Sequence, residues 1–197
     1  RRLGSTQTKL GDIGYTDVNG DGKIDGEDQV RIGKPTMPHF TYAFDFSLGY
    51  EGFTLSGLLY GTGERYMTFG NRYQSGEGKY LYYENQLNYW RPDNTGADFP
   101  RISISSGVNG NNNKAGSTFW MRNASYLRLK DLQLSYDFKY KYLKRCDWLQ
   151  TCRVNLSGSN LFTISGVSKF FDPETSSTSG DGYPVQRVYS IGVTIGF

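Results

Sequence analysis

Apolar residues alternate with small or polar ones along several segments of the chain. The alternation is longest from Phe40 to Tyr50, where every second residue is aromatic or leucine. A period of two over eleven residues predicts a β-strand with one apolar face. Glu51-Gly52 then predicts a tight turn, and a second strand alternates from Phe53 to Tyr60. This part of the chain therefore predicts a long β-hairpin.

Three further strands are predicted in the second half of the sequence. Between Ser125 and Phe138 the apolar residues change phase after Leu129, which predicts a β-bulge near Lys130-Asp131. A fourth strand is predicted from Arg153 to Phe162. The last strand ends with the chain, and its apolar face consists of Tyr189, Ile191, Val193, Ile195 and Phe197. Strands of nine to eleven residues with one apolar face suit a tilted span of a bilayer. The last strand resembles the terminal strand that the outer-membrane assembly machinery recognises in bacterial barrels, so we expect its five apolar residues to act in barrel assembly.

Composition supports an all-β protein with long loops. Of the 197 residues, 25 are Gly and 16% are aromatic, which favours strands and Gly-rich connections over helices. The longest connection, roughly residues 61 to 123, contains one segment, YENQLNYW, that predicts a short helix. The net charge of +3, from scattered Lys and Arg, does not predict a nucleic-acid partner. The sequence contains no run of 18 apolar residues, so it does not predict a transmembrane helix.

The stretch DVNGDGKIDGED, residues 17 to 28, has the spacing of a calcium-binding loop. When residues 17 to 28 are numbered as loop positions one to twelve, a glycine occupies the sixth position. The expected ligands are Asp17, Asn19, Asp21, the Lys23 carbonyl, Asp25 and Asp28. Asp replaces the usual Glu at the twelfth position, so bidentate binding needs a closer approach of the chain. We expect the ion to be Ca²⁺, with Mg²⁺ as the alternative. We also expect it to have a structural role, because LGDIGYT before the loop does not predict the helix of a calcium sensor.

No residue combination in the sequence predicts catalysis. His39 is the single histidine, so no Ser-His-Asp, Cys-His or His-rich zinc site can be assembled. Asp172 and Glu174 of FDPE are two neighbouring carboxylates, which we interpret as turn residues. Cys146 and Cys152 enclose five residues and either form a small disulfide loop or remain free thiols, depending on the compartment.

Seven segments, in order, resemble the C-terminal part of SusC/RagA-type TonB-dependent outer-membrane transporters. They cover nearly the whole chain, and they are GDIGYTDVNGDGKIDGEDQVRIG, FTYAFDFSLGYEGFTLS, NYWRPDNTGADFPR, NASYLRLKDLQLSYDF, VNLSGSNLFTIS, FDPE and YPVQRVYSIGVTIGF. The resemblance implies a 22-stranded transmembrane antiparallel β-barrel filled by an N-terminal plug, to which this chain contributes about the last five strands. Five strands cannot close a barrel, so we expect the chain to be part of a longer polypeptide or to pair with the remaining strands.

The resemblance also implies a membrane topology, partners and a location. Residues 1 to 39 are expected to form an extracellular loop, and residues 40 to 197 the strands, with long extracellular loops at about 61 to 123 and 163 to 186. The turns at Glu51-Gly52 and around the cysteines are expected in the periplasm, so that all long connections lie outside. The implied location is the outer membrane of a Gram-negative bacterium. The implied partners are a SusD-like surface lipoprotein, TonB through the missing N-terminal part, and a glycan or peptide substrate.

The long loop contains aromatic residues that are candidates for contact with a ligand or with the lipoprotein. These residues are Tyr80, Tyr82, Tyr83, Tyr89 and Trp90. For any one of them, packing inside the loop itself is the favoured interpretation. The alternative to a transporter is a secreted, calcium-stapled β-sandwich that binds carbohydrate; it leaves the terminal strand and the one-sided long loops unexplained.

Overall fold

The computed structural model describes residues 8–74, 83–102, 112–175, 178, 182–183 and 185–197. Seven strands are present in this part of the chain: β1 (Phe40–Tyr50), β2 (Phe53–Gly63), β3 (Tyr66–Thr68), β4 (Met121–Asn123), β5 (Tyr126–Asp137), β6 (Thr151–Ser165) and β7 (Val188–Gly196). In the described residues, the helical segments are α1 (Asn71–Gln74), α2 (Phe138–Lys141) and four 3-10 turns, at Gly26–Asp28, Glu84–Leu87, Asn112–Lys114 and Thr118–Trp120. Within the described ranges no helix is long and apolar enough to cross a membrane.

Five strands form one antiparallel sheet in the order β1-β2-β5-β6-β7, and β3 pairs with β4 in a separate ribbon. The predicted all-β antiparallel fold is therefore confirmed. β1 begins and ends at the predicted residues, whereas β2, β5 and β6 differ from their predicted bounds by one to three residues at an end. The predicted short helix in YENQLNYW is a 3-10 turn over Glu84–Leu87.

The predicted bulge in β5 lies at Lys130. Leu129 is paired with Leu59 of β2, and Asp131 is paired with the preceding residue, Leu58, so that Lys130 is the extra residue. The pairing of β5 with β6 is irregular at the same place. One extra residue returns Leu132 and Leu134 to the face that Leu127 and Leu129 occupy, because the side-chain period of a strand is two.

Glycines in β2 make room for aromatic rings of β1 on one face of the sheet. A Cβ at Gly57, Gly61 or Gly63 would collide with the ring of Phe46, Tyr42 or Phe40, respectively. The residues of each pair are direct cross-strand partners. Each ring covers the backbone that its glycine leaves bare, which stabilises a strand whose glycines would otherwise weaken it.

Contacts divide the chain into two compact units. The loop unit comprises residues 1–34, 66–122 and 169–182, and the sheet unit comprises residues 35–65, 123–168 and 183–197. The loop unit therefore gathers the segment with the acidic loop and most of both predicted long loops, whereas the sequence-based division runs linearly at residue 39. Its core consists of Ile13, Phe69, Tyr73, Phe99 and Trp120.

Candidate functional site

One face of the five-stranded sheet is apolar across all five strands. The cross-strand register aligns Leu48 of β1, Leu55 of β2, Leu134 of β5, Leu156 of β6 and Ile191 of β7 in nearly one row. Several of these side chains are exposed, with 63% of Leu48 and 74% of Ile191 accessible to solvent. This face, which we call the apolar face, extends over far more surface than a soluble protein normally leaves uncovered.

The terminal strand β7 has the predicted pattern. Its residues on the apolar face, Tyr189, Ile191, Val193 and Ile195, are all exposed, as is Phe197, which directly follows the strand. The residues between them are Ser190, Gly192, Thr194 and Gly196, on the opposite face. Because β7 and β1 are the edge strands of the sheet, each has one side that no described strand pairs. The predicted role of β7 in barrel assembly stays a prediction.

The opposite, polar face has charged and hydroxyl-bearing side chains. Arg128 is almost fully buried there; its Nε donates to Thr163 Oγ1 at 2.8 Å, and its guanidinium lies 5.7 Å from the Tyr126 ring. The bulged Lys130 places its ammonium 4.4 Å from the centre of the Tyr60 ring. This surface can line a water-filled lumen, whereas the apolar face cannot.

The acidic loop is folded by hydrogen bonds from its own amides to its own side chains. The N–H groups of Gly20 and Gly22 donate to the two carboxylate oxygens of Asp17 at 2.7 and 2.9 Å, and those of Val18 and Asp25 donate to Asp28 at 2.7 and 2.9 Å. Asn19, Asp21 and Asp25 each accept one further amide in the same way. Gly22, at the sixth position, has φ +85°, the bend that this position requires.

The metal ligands predicted in the acidic loop stay a prediction. Among the described residues, no three His, Cys, Asp or Glu side chains converge closely enough to hold a metal ion. The carboxylates instead hold the loop's backbone, with the loop's Ile24 buried beneath them. Each carboxylate oxygen has two lone pairs, so bonding to amides leaves acceptor capacity for a cation.

The loop aromatics pack within the loop unit. Tyr83 and Tyr89 lie against the core, and the Tyr83 ring centre is 5.0 Å from that of Tyr73. Trp90 covers Gly11 so closely that a Cβ at that glycine would collide with the indole. Tyr80 and Tyr82 lie outside the described residues. Packing within the loop thus accounts for the three aromatics that the structure describes, and their contact with a ligand stays a prediction.

A buried polar network stabilises the loop unit, and sequence reasoning did not identify it. The Asn112 side chain donates to Ile13 O at 2.9 Å, and the Ile13 N–H donates to Asn113 Oδ1 at 2.9 Å. Asn113 also donates to Asp12 Oδ1 at 3.0 Å, and the Arg101 Nη2 donates to Asp12 Oδ2 at 3.1 Å. The two asparagine side chains bond to the backbone N–H and C=O of Ile13, as the backbone of a neighbouring strand would. The run NGNNNK predicts a loop, and nothing in the sequence pairs it with residues one hundred positions away.

Burial changes the pKa of ionisable groups in the loop unit. Burial raises the pKa of Tyr15 above its ordinary value of 10.0, although a hydrogen bond with Ser117 opposes the shift. The Tyr15 hydroxyl donates to Asn112 O at 2.6 Å. Burial also raises the pKa of Tyr73, whose hydroxyl donates to Phe170 O at 2.9 Å. Burial lowers the pKa of Arg122, and the charge of Asp98 acts against that change.

The short-turn end of the sheet unit is rich in aromatic and basic residues. Tyr140, Tyr142, Trp148 and Phe197 are exposed, and the Trp148 and Phe197 rings stack at 5.9 Å. Lys139 donates to the carbonyls of Cys146 and Leu149 at 2.7 and 2.6 Å and so closes the turn without a covalent bond. Cys146 and Cys152 are free thiols in this structure. The disulfide between them stays a prediction.

Neither candidate for catalysis forms a reactive arrangement. His39 Nδ1 lies 2.5 Å from Glu64 Oε2 in an exposed pair beside the start of β1. Asp172 accepts the Glu174 N–H at 2.8 Å, and its carbonyl accepts the Thr175 N–H at 3.1 Å. These are the contacts of a turn.

Two curated bacterial proteins are similar to nearly the whole chain. The TonB-dependent receptor P26 of Formosa agariphila is 27% identical over 202 residues, which cover 95% of this chain and 20% of that protein. The TonB-dependent receptor P3 of the same organism is 26% identical over 196 residues, with 93% and 19% covered. No protein-family model matches the chain.

Solved structures of the RagAB peptide importer are similar in fold as well as in sequence. The closed-closed state superposes with a TM-score of 0.68 at 27% identity, over 93% of this chain and 20% of that chain. The open-open state has a TM-score of 0.64 at 28% identity, over 87% and 18%. The resemblance to SusC/RagA-type TonB-dependent transporters is confirmed. The chain spans about a fifth of the length of each of these proteins, which are named as receptors and importers, not as enzymes.

Proposed function

We propose that this chain forms five transmembrane strands of a TonB-dependent outer-membrane transporter of the SusC/RagA type. The observation that carries the proposal is the apolar face, which runs over all five strands and includes exposed side chains at both edges of the sheet. Such a face is stable against hydrocarbon, and both edge strands need further strands to satisfy their backbone groups. A barrel of 22 strands around an N-terminal plug meets both needs.

The whole transporter, on this proposal, imports peptides or oligosaccharides together with a SusD-like surface lipoprotein. The solved neighbours are structures of a peptide importer, which favours peptides over glycans as the substrate class. TonB would supply the energy through the N-terminal part of the protein. A secreted β-sandwich is less well supported, since it needs a second sheet over the apolar face, and the remaining described strands, β3 and β4, have three residues each.

The experiment that tests the proposal is extraction of the native protein that contains this sequence, followed by peptide mass spectrometry. We expect a species several times the 22.3 kDa mass of this chain that requires detergent and purifies with a lipoprotein. A species of this chain's own mass that stays in solution without detergent contradicts the proposal and favours the secreted module.

We also propose that the acidic loop binds Ca²⁺, with Mg²⁺ as the weaker alternative, and that the ion has a structural role. Support comes from the spacing of Asp17, Asn19, Asp21, Asp25 and Asp28 and from the bend at Gly22. Calcium titration by calorimetry on the purified protein tests this. Asp21→Ala should abolish the binding heat, whereas Glu27→Ala, which removes a carboxylate from outside the ligand set, should retain it.

A further inference from the structure

The apolar face contains a groove at the short-turn end of the sheet unit. Phe53, Tyr136 and Val154 line it from three adjacent strands, and Phe138 and Tyr142 line it from α2 and the residue after α2. Its volume is about 520 Å³, within the range of small-molecule sites. The rings contact each other, with centre distances of 4.4 Å for Phe53–Tyr136 and 4.9 Å for Tyr136–Phe138. The groove therefore has aromatic, apolar walls.

Two charged residues of opposite sign complete the lining of the groove, Glu51 and Lys141. Both are exposed, and among the described residues neither side chain has a hydrogen bond or ion pair. Glu51 has φ +44° in the turn between β1 and β2, where Asn, Asp or Gly is the usual choice. Turn geometry therefore does not explain a glutamate at this position.

Of the other charged residues of this end, Arg145 and Asp147 do not line the groove, and the remaining ones have partners elsewhere. Lys139 is bonded to two carbonyls of its own turn, and Lys144 lies 5.2 Å from the centre of the Tyr140 ring. The Asp137 carboxylate accepts the Lys139 N–H at 2.9 Å and lies 3.8 Å from Arg153 Nη2. Glu51 and Lys141 are thus the pair that faces the groove.

A second groove on the same face provides a contrast. It has a volume of about 450 Å³ and is lined by leucines, Ile191, Tyr189, serines and a glycine, with no charged residue among them. Such a groove can accommodate hydrocarbon alone. The charges at the first groove therefore point to a ligand that is apolar at one end and carries both signs of charge at the other.

We propose that the groove at the short-turn end binds a phospholipid with a zwitterionic headgroup of the ethanolamine type. An acyl chain packs against the aromatic walls, the phosphate accepts hydrogen bonds from the Lys141 ammonium, and the headgroup ammonium donates to the Glu51 carboxylate. An anionic headgroup without an amine pairs with Lys141 alone and leaves Glu51 beside a negative charge. The location suits a lipid, because the exposed Tyr142 and Trp148 are typical of a membrane interface. This inference rests on the proposed membrane location.

Native mass spectrometry of the full-length, detergent-extracted protein tests the proposal with defined lipids. The protein is incubated with phosphatidylethanolamine and phosphatidylglycerol of identical acyl chains, and the bound copies of each are counted. We expect the ethanolamine lipid to be preferred and its occupancy to fall roughly tenfold in Lys141→Ala and in Glu51→Gln. Glu51→Lys should reverse the preference toward phosphatidylglycerol. Lys144→Ala, which removes a cation from the same turn but from outside the groove, should match the unmodified protein.

The outcomes separate this proposal from the one on which it rests. Protein that stays in aqueous solution without detergent overturns the membrane location and the lipid site together. If the protein depends on detergent but substitution of Lys141 and Glu51 does not change its lipid preference, the lipid site alone is overturned. The same holds if Lys144→Ala changes the preference as much as the groove substitutions do. Unboiled electrophoresis, in which a folded barrel migrates faster than its unfolded chain, checks that each variant folds. All three groove substitutions change exposed side chains.

Discussion

The loop unit and the sheet unit contain the same kinds of side chain and place them in opposite surroundings. In the loop unit, Phe69, Phe99 and Trp120 are buried against one another. In the sheet unit, Phe44, Tyr189 and Ile191 are exposed along a flat face. The loop unit thus has a buried aromatic core, whereas the described residues provide no second layer over the apolar face of the sheet unit.

The difference shows which solvent stabilises each unit. Hydrophobic burial within the chain stabilises the loop unit, and its polar network satisfies the backbone groups that its irregular segments leave without strand partners. Contact with hydrocarbon stabilises the apolar face of the sheet unit, on the proposed membrane location, while hydrogen bonds between strands satisfy the backbone. Substitutions should therefore affect the two units by different physical mechanisms.

The largest expected effect is the loss of a core side chain from the loop unit. Trp120 is fully buried, and its Nε1 donates to Asn113 O at 2.8 Å. Trp120→Ala should destabilise the loop unit by about 3–5 kcal/mol, because it leaves a cavity and an acceptor without a donor. Hydrogen exchange of residues 83–102 in the purified protein measures this loss. Trp148→Ala, the same change at an exposed site, should leave that exchange unchanged; equal effects would contradict the distinction between the units.

A charged residue introduced on the apolar face should destabilise the folded protein because the charge contacts lipid, not because it disturbs packing. Ile191 is near the middle of β7 on the apolar face, so Ile191→Arg should cost about 2–4 kcal/mol of folding free energy in a bilayer. Urea-induced unfolding in lipid vesicles provides the measurement. The control is Ser190→Arg, one residue away on the polar face, which should cost less than 1 kcal/mol. Equal costs at both sites would show that the apolar face does not contact lipid.

A smaller effect should follow from crowding the ring that covers a glycine. The Tyr42 hydroxyl donates to Tyr126 O at 3.2 Å across Gly61. Gly61→Val should displace this ring and destabilise the sheet by about 1–3 kcal/mol, in the manner of an overpacked core. Gly192→Val is the matched control, because a Cβ at Gly192 meets nothing within 4 Å. A similar unfolding midpoint for the two variants would show that the ring has no such role.

The smallest expected effect is a dependence of the loop unit on alkaline pH. The pKa of Tyr15 is raised in the folded state, so its contribution is complete below pH 10 and is lost as the pH rises through the folded value. Stability of the loop unit should therefore decline above about pH 10, and less steeply in Tyr15→Phe, which cannot ionise. Tryptophan fluorescence during a pH titration follows this decline. Tyr183→Phe, at an exposed tyrosine of the sheet unit, should leave the slope unchanged.

Local patterns were sufficient to predict the strands of the sheet unit. The alternation of residues along a strand shows which of its faces is apolar, even when the adjacent strands are not known. The phase change after Leu129 was enough to predict the bulge at Lys130. The spacing of the acidic loop likewise predicted its bend at Gly22. Each of these features depends on residues close together in sequence.

The core of the loop unit could not be predicted in the same way. Asn112, Asn113 and Asp12 form their bonds across about one hundred residues, and no periodicity marks asparagines of an irregular loop as buried. The groove residues Glu51 and Lys141 were also missed, since they belong to two turns that only the sheet brings together. The packing of Tyr83 and Tyr89 was one of two alternatives that the sequence left open.

The sequence by itself therefore determined the strands, their apolar and polar faces, and the family that they resemble. Tertiary structure decided which aromatic residues are buried, how the irregular segments satisfy their backbone groups, and which charged residues line a groove. The physical reason is that side-chain alternation is a property of consecutive residues, whereas burial and charge pairing depend on contacts between residues far apart along the chain.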